Sequence, residues 1–302
     1  QTLMPELPEV EVVCRGLRPY LIQRSIVAVH WSDKDLRVPL PRATLPGLIG
    51  QRIARISRRA KYLLIHLANG SLLIVHLGMS GRLGIFPANE PVHRHDHVRW
   101  LLDTGLEMRL NDTRRFGSVH LLPPDEAGEA EHSFFHACGP EPLSRSCSPE
   151  QLQRQAHGRK QAIKTLLMDS RFIAGVGNIY ANEALFAAGI HPDSPAHTLD
   201  LGDWQRLLDQ LRIILDQAIA CGGSTISDFL GASGDSGYFQ VNFKVYGRTN
   251  QNCPNCGQKI SKTRTSGRAS FFCPSCQQQK KEQASGSTPP QRTESENSET
   301  GR

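Results

Sequence analysis

No window of this chain reaches 18 consecutive apolar residues, so no membrane-spanning helix is expected. The start also lacks the basic and apolar blocks of a signal peptide, since Gln1-Thr2-Leu3-Met4 runs directly into Pro5 and Glu6. Cysteine is too sparse for a secreted disulfide scaffold. There are eight in 302 residues, four of them in a metal-like pattern, which favours a reducing, cytoplasmic compartment. Residues 281–302 contain no Val, Leu, Ile, Met, Phe, Tyr, Trp or Cys. Such a segment cannot bury enough surface to fold alone and is expected to be disordered.

A length of 302 residues makes two domains the natural expectation, and 38% apolar content is enough for real cores. The formal net charge is +6, and the last 22 residues carry three basic against four acidic groups. The positive charge therefore belongs to the rest of the chain and fits an anionic partner. The first 120 residues read mainly as strands. Residues 60–67 and 71–77 are apolar runs about Asn69-Gly70, the strongest short-range hairpin signal. Residues 98–102 and 107–110 form a second pair about Thr104-Gly105. Pro8 to Leu21 is the exception and fits a helix packed on the sheet. Residues 121–147 show little periodicity and read as a linker. Beyond them the period becomes helical: Ser148-Pro149-Glu150-Gln151 is a helix start, and helices are expected over 159–168, 179–188 and 204–220.

One motif names its own chemistry. Cys253-x2-Cys256 and Cys273-x2-Cys276, separated by sixteen residues, can surround one tetrahedral ion with four thiolates. Zinc is the expected metal, and four protein ligands leave no open position, so its role is structural. Lys259, Lys262, Arg264 and Arg268 lie between the knuckles, as a solvated charged loop or as a phosphate-binding tip. Gly175-Val176-Gly177-Asn178 precedes a helix. It either shapes a turn or lets helix N–H groups meet an anion. Asn111-Asp112-Thr113-Arg114-Arg115-Phe116-Gly117 reads as an Asx turn with Phe116 packed inward, or as a loop that inserts into a base stack. Met79, in His76-Leu77-Gly78-Met79-Ser80-Gly81, offers a second apolar tip or a core side chain. Pro5, once freed of Met4, would carry a secondary amine able to form an imine with a sugar aldehyde, with Glu6 and Glu9 placed to handle protons.

These segments together resemble the bacterial formamidopyrimidine-DNA glycosylase family, over about residues 4–278. The resemblance rests on Pro5-Glu6-Leu7-Pro8-Glu9-Val10-Glu11, Lys61-Tyr62-Leu63, His76 to Gly81, Arg114 to Gly117, Gly177-Asn178-Ile179-Tyr180-Ala181, Val245-Tyr246-Gly247-Arg248 and the two knuckles. It implies an α+β fold: an N-terminal two-sheet β-sandwich with flanking helices (4–134), a linker (135–147), a helix–two-turn–helix domain (148–240) and a β-hairpin zinc finger (241–280). It implies a bifunctional glycosylase and abasic-site lyase acting, as a monomer associated with the nucleoid, on double-stranded DNA that contains oxidised purines or abasic sites. By resemblance, Pro5 is the nucleophile at C1′, Glu6 the acid/base on the sugar, and Glu9 part of the supporting network. Lys61, Asn178 and Arg268 would grip phosphates around a flipped nucleotide, with Lys61 in the catalytic group. Met79, Arg114 and Phe116 would fill the vacated gap, Arg248 would add a DNA contact, and part of Gly222 to Tyr238 would close over the base.

The chain departs from the family in three places. Residues precede Pro5, and while they are attached its nitrogen is a tertiary amide that cannot form the imine. Cys14 and Thr113 replace the usual Arg and Pro, and the tail has no family counterpart. The nearest rival is the endonuclease VIII branch, which prefers oxidised pyrimidines and usually has Gly where this chain has Leu7. A non-catalytic zinc protein that binds damaged DNA would need only the helical domain and finger. A topoisomerase- or primase-like zinc ribbon is disfavoured because no acidic metal constellation accompanies the cysteines.

Overall fold

The computed structural model describes residues 4–124, 127–222 and 243–280. Helix α1 (Leu7–Leu21) leads into eight strands: β1 (Ile26–Trp31), β2 (Ile53–Arg59), β3 (Tyr62–Leu67), β4 (Leu72–His76), β5 (Gly81–Pro87), β6 (Asp96–Leu102), β7 (Leu106–Asp112) and β8 (Ser118–Leu122). They form two four-stranded antiparallel sheets, ordered β1-β6-β7-β5 and β2-β3-β4-β8. Both expected hairpins are present, with turns at Asn69-Gly70 and Thr104-Gly105; Gly70 and Gly105 take the left-handed backbone such turns need. Leucine, isoleucine and valine from both sheets share one core with Val10, Val13, Cys14, Leu17 and Leu21 of α1.

The second unit contains α3 (Pro149–Ala156), α4 (Ile163–Leu167), α5 (Asn178–Ala187) and α6 (Leu201–Ala220) around their own core. Ser148 caps α3 as its sequence indicates, its hydroxyl accepting from Gln151 N at 3.2 Å. Strands β9 (Ser261–Thr265) and β10 (Arg268–Phe272) form the hairpin between the cysteine knuckles. Its turn residues Ser266 and Gly267 have φ of 48° and 78°, the pattern of a tight two-residue turn.

Two expectations need correction. The stretch read as a featureless linker holds a helix, α2 (Ala127–Phe135). Its C-terminal end meets the sandwich, where Phe134 and Phe135 pack edge-on to Tyr62, a contact made by two adjacent residues and not by a helical repeat. The helix expected over 159–168 spans only Ile163–Leu167. Residues 159–163 instead run alongside 194–197, with Ala196 N donating to Gln161 O and Ile163 N to Ser194 O. The segment expected to close over the base, after Gly222, and the tail lie outside the described residues. Among the described residues no helix is long and apolar enough to cross a membrane.

Leu7 ties the two units together. It is the first residue of α1, yet its side chain belongs to the core of the helical unit and its N–H donates to Gly175 O at 3.1 Å.

Candidate active site and nucleic-acid interface

The N-terminus of α5 receives the side chain of Glu6. This carboxylate, 2% exposed, accepts from Gly177 N at 2.8 Å, Ile179 N at 2.9 Å and Tyr180 N at 3.4 Å. Of the two readings of this glycine-rich turn, the N–H groups do meet an anion, and it is a carboxylate of the chain itself. The first N–H groups of a helix lack intrahelical partners and favour negative charge. Both glycines are needed for the approach: Gly175 has φ +79°, and a β-carbon on Gly177 would overlap the Glu6 carboxyl. Glu9 completes the arrangement, accepting from Glu6 N at 2.9 Å and from the Tyr180 hydroxyl at 2.7 Å.

The electrostatics suit proton transfer. Burial pushes the Glu6 carboxyl up to about 7, with Glu9 adding to the rise and Lys61 and the amides opposing it. Burial also holds the Lys61 ammonium below the usual lysine range; the Glu6 and Glu9 carboxylates counter this and Arg268 adds to it. Thus Glu6 comes from the first residues, Lys61 from the β2–β3 turn and Arg268 from the zinc-finger hairpin, and the Lys61 ammonium lies in the field of both others. Pro5, half-buried, precedes Glu6 directly. Asn178 opens α5 one residue beyond Gly177, and its side chain bonds the Tyr246 hydroxyl.

Several residues that hold this cluster were not evident from sequence. Asn182 accepts from Phe271 N at 2.8 Å and donates to Asn178 O at 2.6 Å, joining the finger hairpin to α5. Glu183 accepts from Lys244, Val245 and Tyr246 N–H groups at 2.7–2.9 Å. Lys164 is 1% exposed and donates to Ala269 O and Ser270 Oγ of the hairpin, with burial lowering it to about 8. Glu141 holds the turn that carries Lys61, accepting from Ala60 N at 2.6 Å, Arg58 at 2.8 Å and Arg59 at 3.1 Å. His76 lies in the field of Lys61. Burial first, then the Lys61 and Arg37 charges, lower it to about 4, and its Nδ1 accepts from Gly78 N at 3.0 Å. A neutral ring so held presents Nε2–H as a donor.

A second constellation sits at the ends of β4, β5 and β7. Asp112 makes the expected Asx-type contact to Gly117 N at 2.8 Å, yet Phe116 is not packed inward: it is 43% exposed. Arg114 lies over its ring at 4.7 Å. Met79, half-buried, occupies the adjoining turn. Arg248 stands apart, its guanidinium donating to Gln251 Oε1, Phe243 O, Lys244 O and Asn252 O within its own loop.

The four cysteine sulfurs lie within 4.8 Å of one another, with Cys253–Cys276 at 3.9 Å and Cys256–Cys273 at 3.4 Å. Zn–S bonds of about 2.3 Å in a tetrahedron place sulfurs about 3.8 Å apart, so the donor set fits zinc. Four thiolates this close repel one another, and a divalent cation offsets that repulsion. The finger is docked on the helical unit: Gln277 accepts from Cys273 N and donates to Ile190 O at 2.8 Å. Among the basic residues of the hairpin, Lys259 bonds Asn252 and Lys262 lies over the Phe271 ring.

Comparison with known proteins gives a consistent result. Residues 4–119 match the formamidopyrimidine-DNA glycosylase N-terminal domain, 138–230 its H2TH domain, and 250–279 a zinc finger found in FPG and IleRS. The chain is 46% identical over 275 residues to a formamidopyrimidine-DNA glycosylase of Shewanella denitrificans, covering 91% of this chain and 99% of that one. It is likewise 46% identical to one from Laribacter hongkongensis, covering 91% of this chain and all of the relative. Among solved structures, Lactococcus lactis Fpg in complex with abasic-site DNA superposes with a TM-score of 0.81 at 32% identity, over 91% of this chain and all of the other. MutM bound to DNA containing carbocyclic 8-oxo-G gives 0.81 at 31% identity over the same shares.

Proposed function

The chain belongs to the formamidopyrimidine-DNA glycosylase family, and on that premise we propose that Pro5, Glu6, Glu9 and Lys61 carry the reaction. The protein is a bifunctional DNA glycosylase and abasic-site lyase that acts on oxidised purines in double-stranded DNA and holds one structural zinc. The observation that carries the assignment of residues is the buried Glu6 carboxyl on the α5 N-terminus, next in sequence to Pro5 and in the field of Lys61.

The steps follow from these groups. Once the bond from Met4 is cut, the Pro5 nitrogen is a secondary amine. Its lone pair attacks C1′ of the flipped nucleotide as the bond from C1′ to the damaged base breaks; the base leaves with that electron pair and takes up the proton that the Pro5 nitrogen sheds. Glu6, poised near neutrality, supplies a proton to the sugar ring oxygen as the ring opens to the iminium. The iminium acidifies the C2′ protons; loss of one expels the 3′ phosphate, and a second elimination expels the 5′ phosphate. Glu9 fixes Glu6 through its backbone N–H. Lys61, Asn178 and Arg268 counter the charge of the flanking phosphates. Met79, Arg114 and Phe116 occupy the space left by the flipped base, and Arg248 contributes by shaping its loop. The zinc organises the finger that presents Arg268. The DNA partner agrees with a cytoplasmic, nucleoid-associated location.

Borohydride trapping on duplex DNA with 8-oxoguanine opposite cytosine tests this reading. Protein whose first residue is Pro5, verified by intact mass, should give a covalent complex, and Glu6→Gln should bind this DNA without excising the base. Full activity in a preparation in which every molecule retains Met4 would remove Pro5 from the mechanism.

A further inference from the structure

Two loops carry the residues assigned to gap filling, and one hydroxyl stands between them. Ser80, next to Met79, donates to Asp112 Oδ1 at 2.6 Å and accepts from Arg114 N at 3.0 Å. The other oxygen of Asp112 accepts from Gly117 N at 2.8 Å, just past Phe116. The Asp112 residue is fully buried, and these two neutral donors are its side-chain partners on this face. The backbones also touch: a β-carbon on Gly78 would lie 2.3 Å from the Phe116 carbonyl carbon. The loop between Asp112 and Gly117 is bent by Arg115, which takes φ +57°, a conformation that a non-glycine residue keeps only when its surroundings impose it.

We propose that Ser80 is a positioning residue for duplex opening and opposite-base specificity, joining the Met79 turn to the Arg114–Phe116 loop so that the three side chains enter the duplex as one unit. This inference rests on the gap-filling role proposed above. The physical argument is one of preorganisation. Arg114 can read an opposite base only if its backbone is fixed before the base pair opens. The Arg114 N–H is held by Ser80 alone among its described hydrogen bonds, and Ser80 is in turn oriented by a buried carboxylate. Removing the hydroxyl frees the Arg114 end of the loop and leaves one Asp112 oxygen without its donor, while the sandwich core beneath is untouched.

The test is Ser80→Ala read in a double-mutant cycle with Arg114→Ala and Phe116→Ala. Single-turnover excision is measured with each base opposite 8-oxoguanine, alongside cleavage of a preformed abasic site. Ser80→Ala should reduce duplex excision about tenfold more than it reduces abasic-site cleavage, and should lower the cytosine preference. It should cost little further in the Arg114→Ala background, and Ser80→Thr, which keeps the hydroxyl, should restore most of the loss. A Ser80→Ala effect that is equal on both substrates, or fully additive with Arg114→Ala, overturns the proposal. If Arg114→Ala and Phe116→Ala are themselves without effect, the gap-filling reading fails instead. Asp112→Asn, compared with the wild type on the same two substrates, provides an independent variant and should show the same substrate split.

Discussion

A β-carbon at Gly177 would stand 2.3 Å from the carboxyl carbon of Glu6 and 2.4 Å from its Oε1. Gly177 has an extended backbone that any residue can adopt, so space alone requires the glycine here. Gly177→Ala should therefore leave the helical core folded but displace Glu6 from the α5 amides. Misplacement of a reacting group by about 1 Å costs on the order of 100-fold in rate, and single-turnover excision should fall at least that far with Tm changed little. A near-normal rate would show that Glu6 works from another position.

The sign of the Glu6 shift fixes two pH dependences. Its carboxyl lies near 7 in the folded chain against an ordinary 4.5, chiefly through burial. As a general acid it must be protonated, so kcat/KM for excision should fall above about pH 7. The same shift makes its contribution to stability complete below about pH 4.5 and lost as pH rises through about 7. Wild-type protein should thus lose stability relative to Glu6→Gln between these values, by an amount on the order of 3 kcal/mol. Urea unfolding of both proteins across this range measures it, and parallel curves would refute the raised value.

The finger supplies a separate prediction. Cys273→Ser removes one of four clustered sulfurs and should lose zinc and DNA binding together, because metal binding is part of the folding energy of such a module. Metal analysis and a DNA titration of the same sample decide the matter. An active variant without zinc would separate the finger from DNA binding.

The arrangement of the strands as two sheets was implied by the family resemblance, whereas the two hairpins were legible because Asn69-Gly70 and Thr104-Gly105 mark their strand pairs locally. The cysteine spacing encoded the metal cluster in the same way. Helix α2 was not legible, since Phe134 and Phe135 are explained by partners on the sheet, Tyr62, His120 and the cluster of Leu64, Leu72 and Ile74, and by no repeat within the helix itself. Residues 159–162 look helical but lie extended because 194–197 offer backbone partners. At the site, motif resemblance marked the residues proposed to meet DNA. The groups that hold them, Asn182, Glu183, Glu141 and Lys164, act through backbone contacts that leave no periodic or compositional trace. The dipeptide Asn182-Glu183 looks like an ordinary polar helix surface, and only the fold reveals that both side chains are buried.

Arg114 and Phe116 should fail in different ways. The guanidinium lies over the ring at 4.7 Å, and the two side chains share one exposed loop. Arginine can engage the acceptors of an unpaired cytosine, whereas phenylalanine contributes stacking area. Arg114→Ala should weaken discrimination for cytosine opposite the lesion by roughly 1–3 kcal/mol, the worth of a good base-reading pair. Phe116→Ala should slow excision whichever base lies opposite, because it removes part of the wedge that opens the stack. Both variants should cleave a preformed abasic site better than they excise 8-oxoguanine, since less must be unstacked. Single-turnover excision with all four opposite bases, plus the abasic substrate, makes the comparison. If Arg114→Ala kept the full cytosine preference, or Phe116→Ala left duplex excision unchanged, the exposed ring and its cation would be parts of the turn at Asp112 and would have no role in opening the duplex.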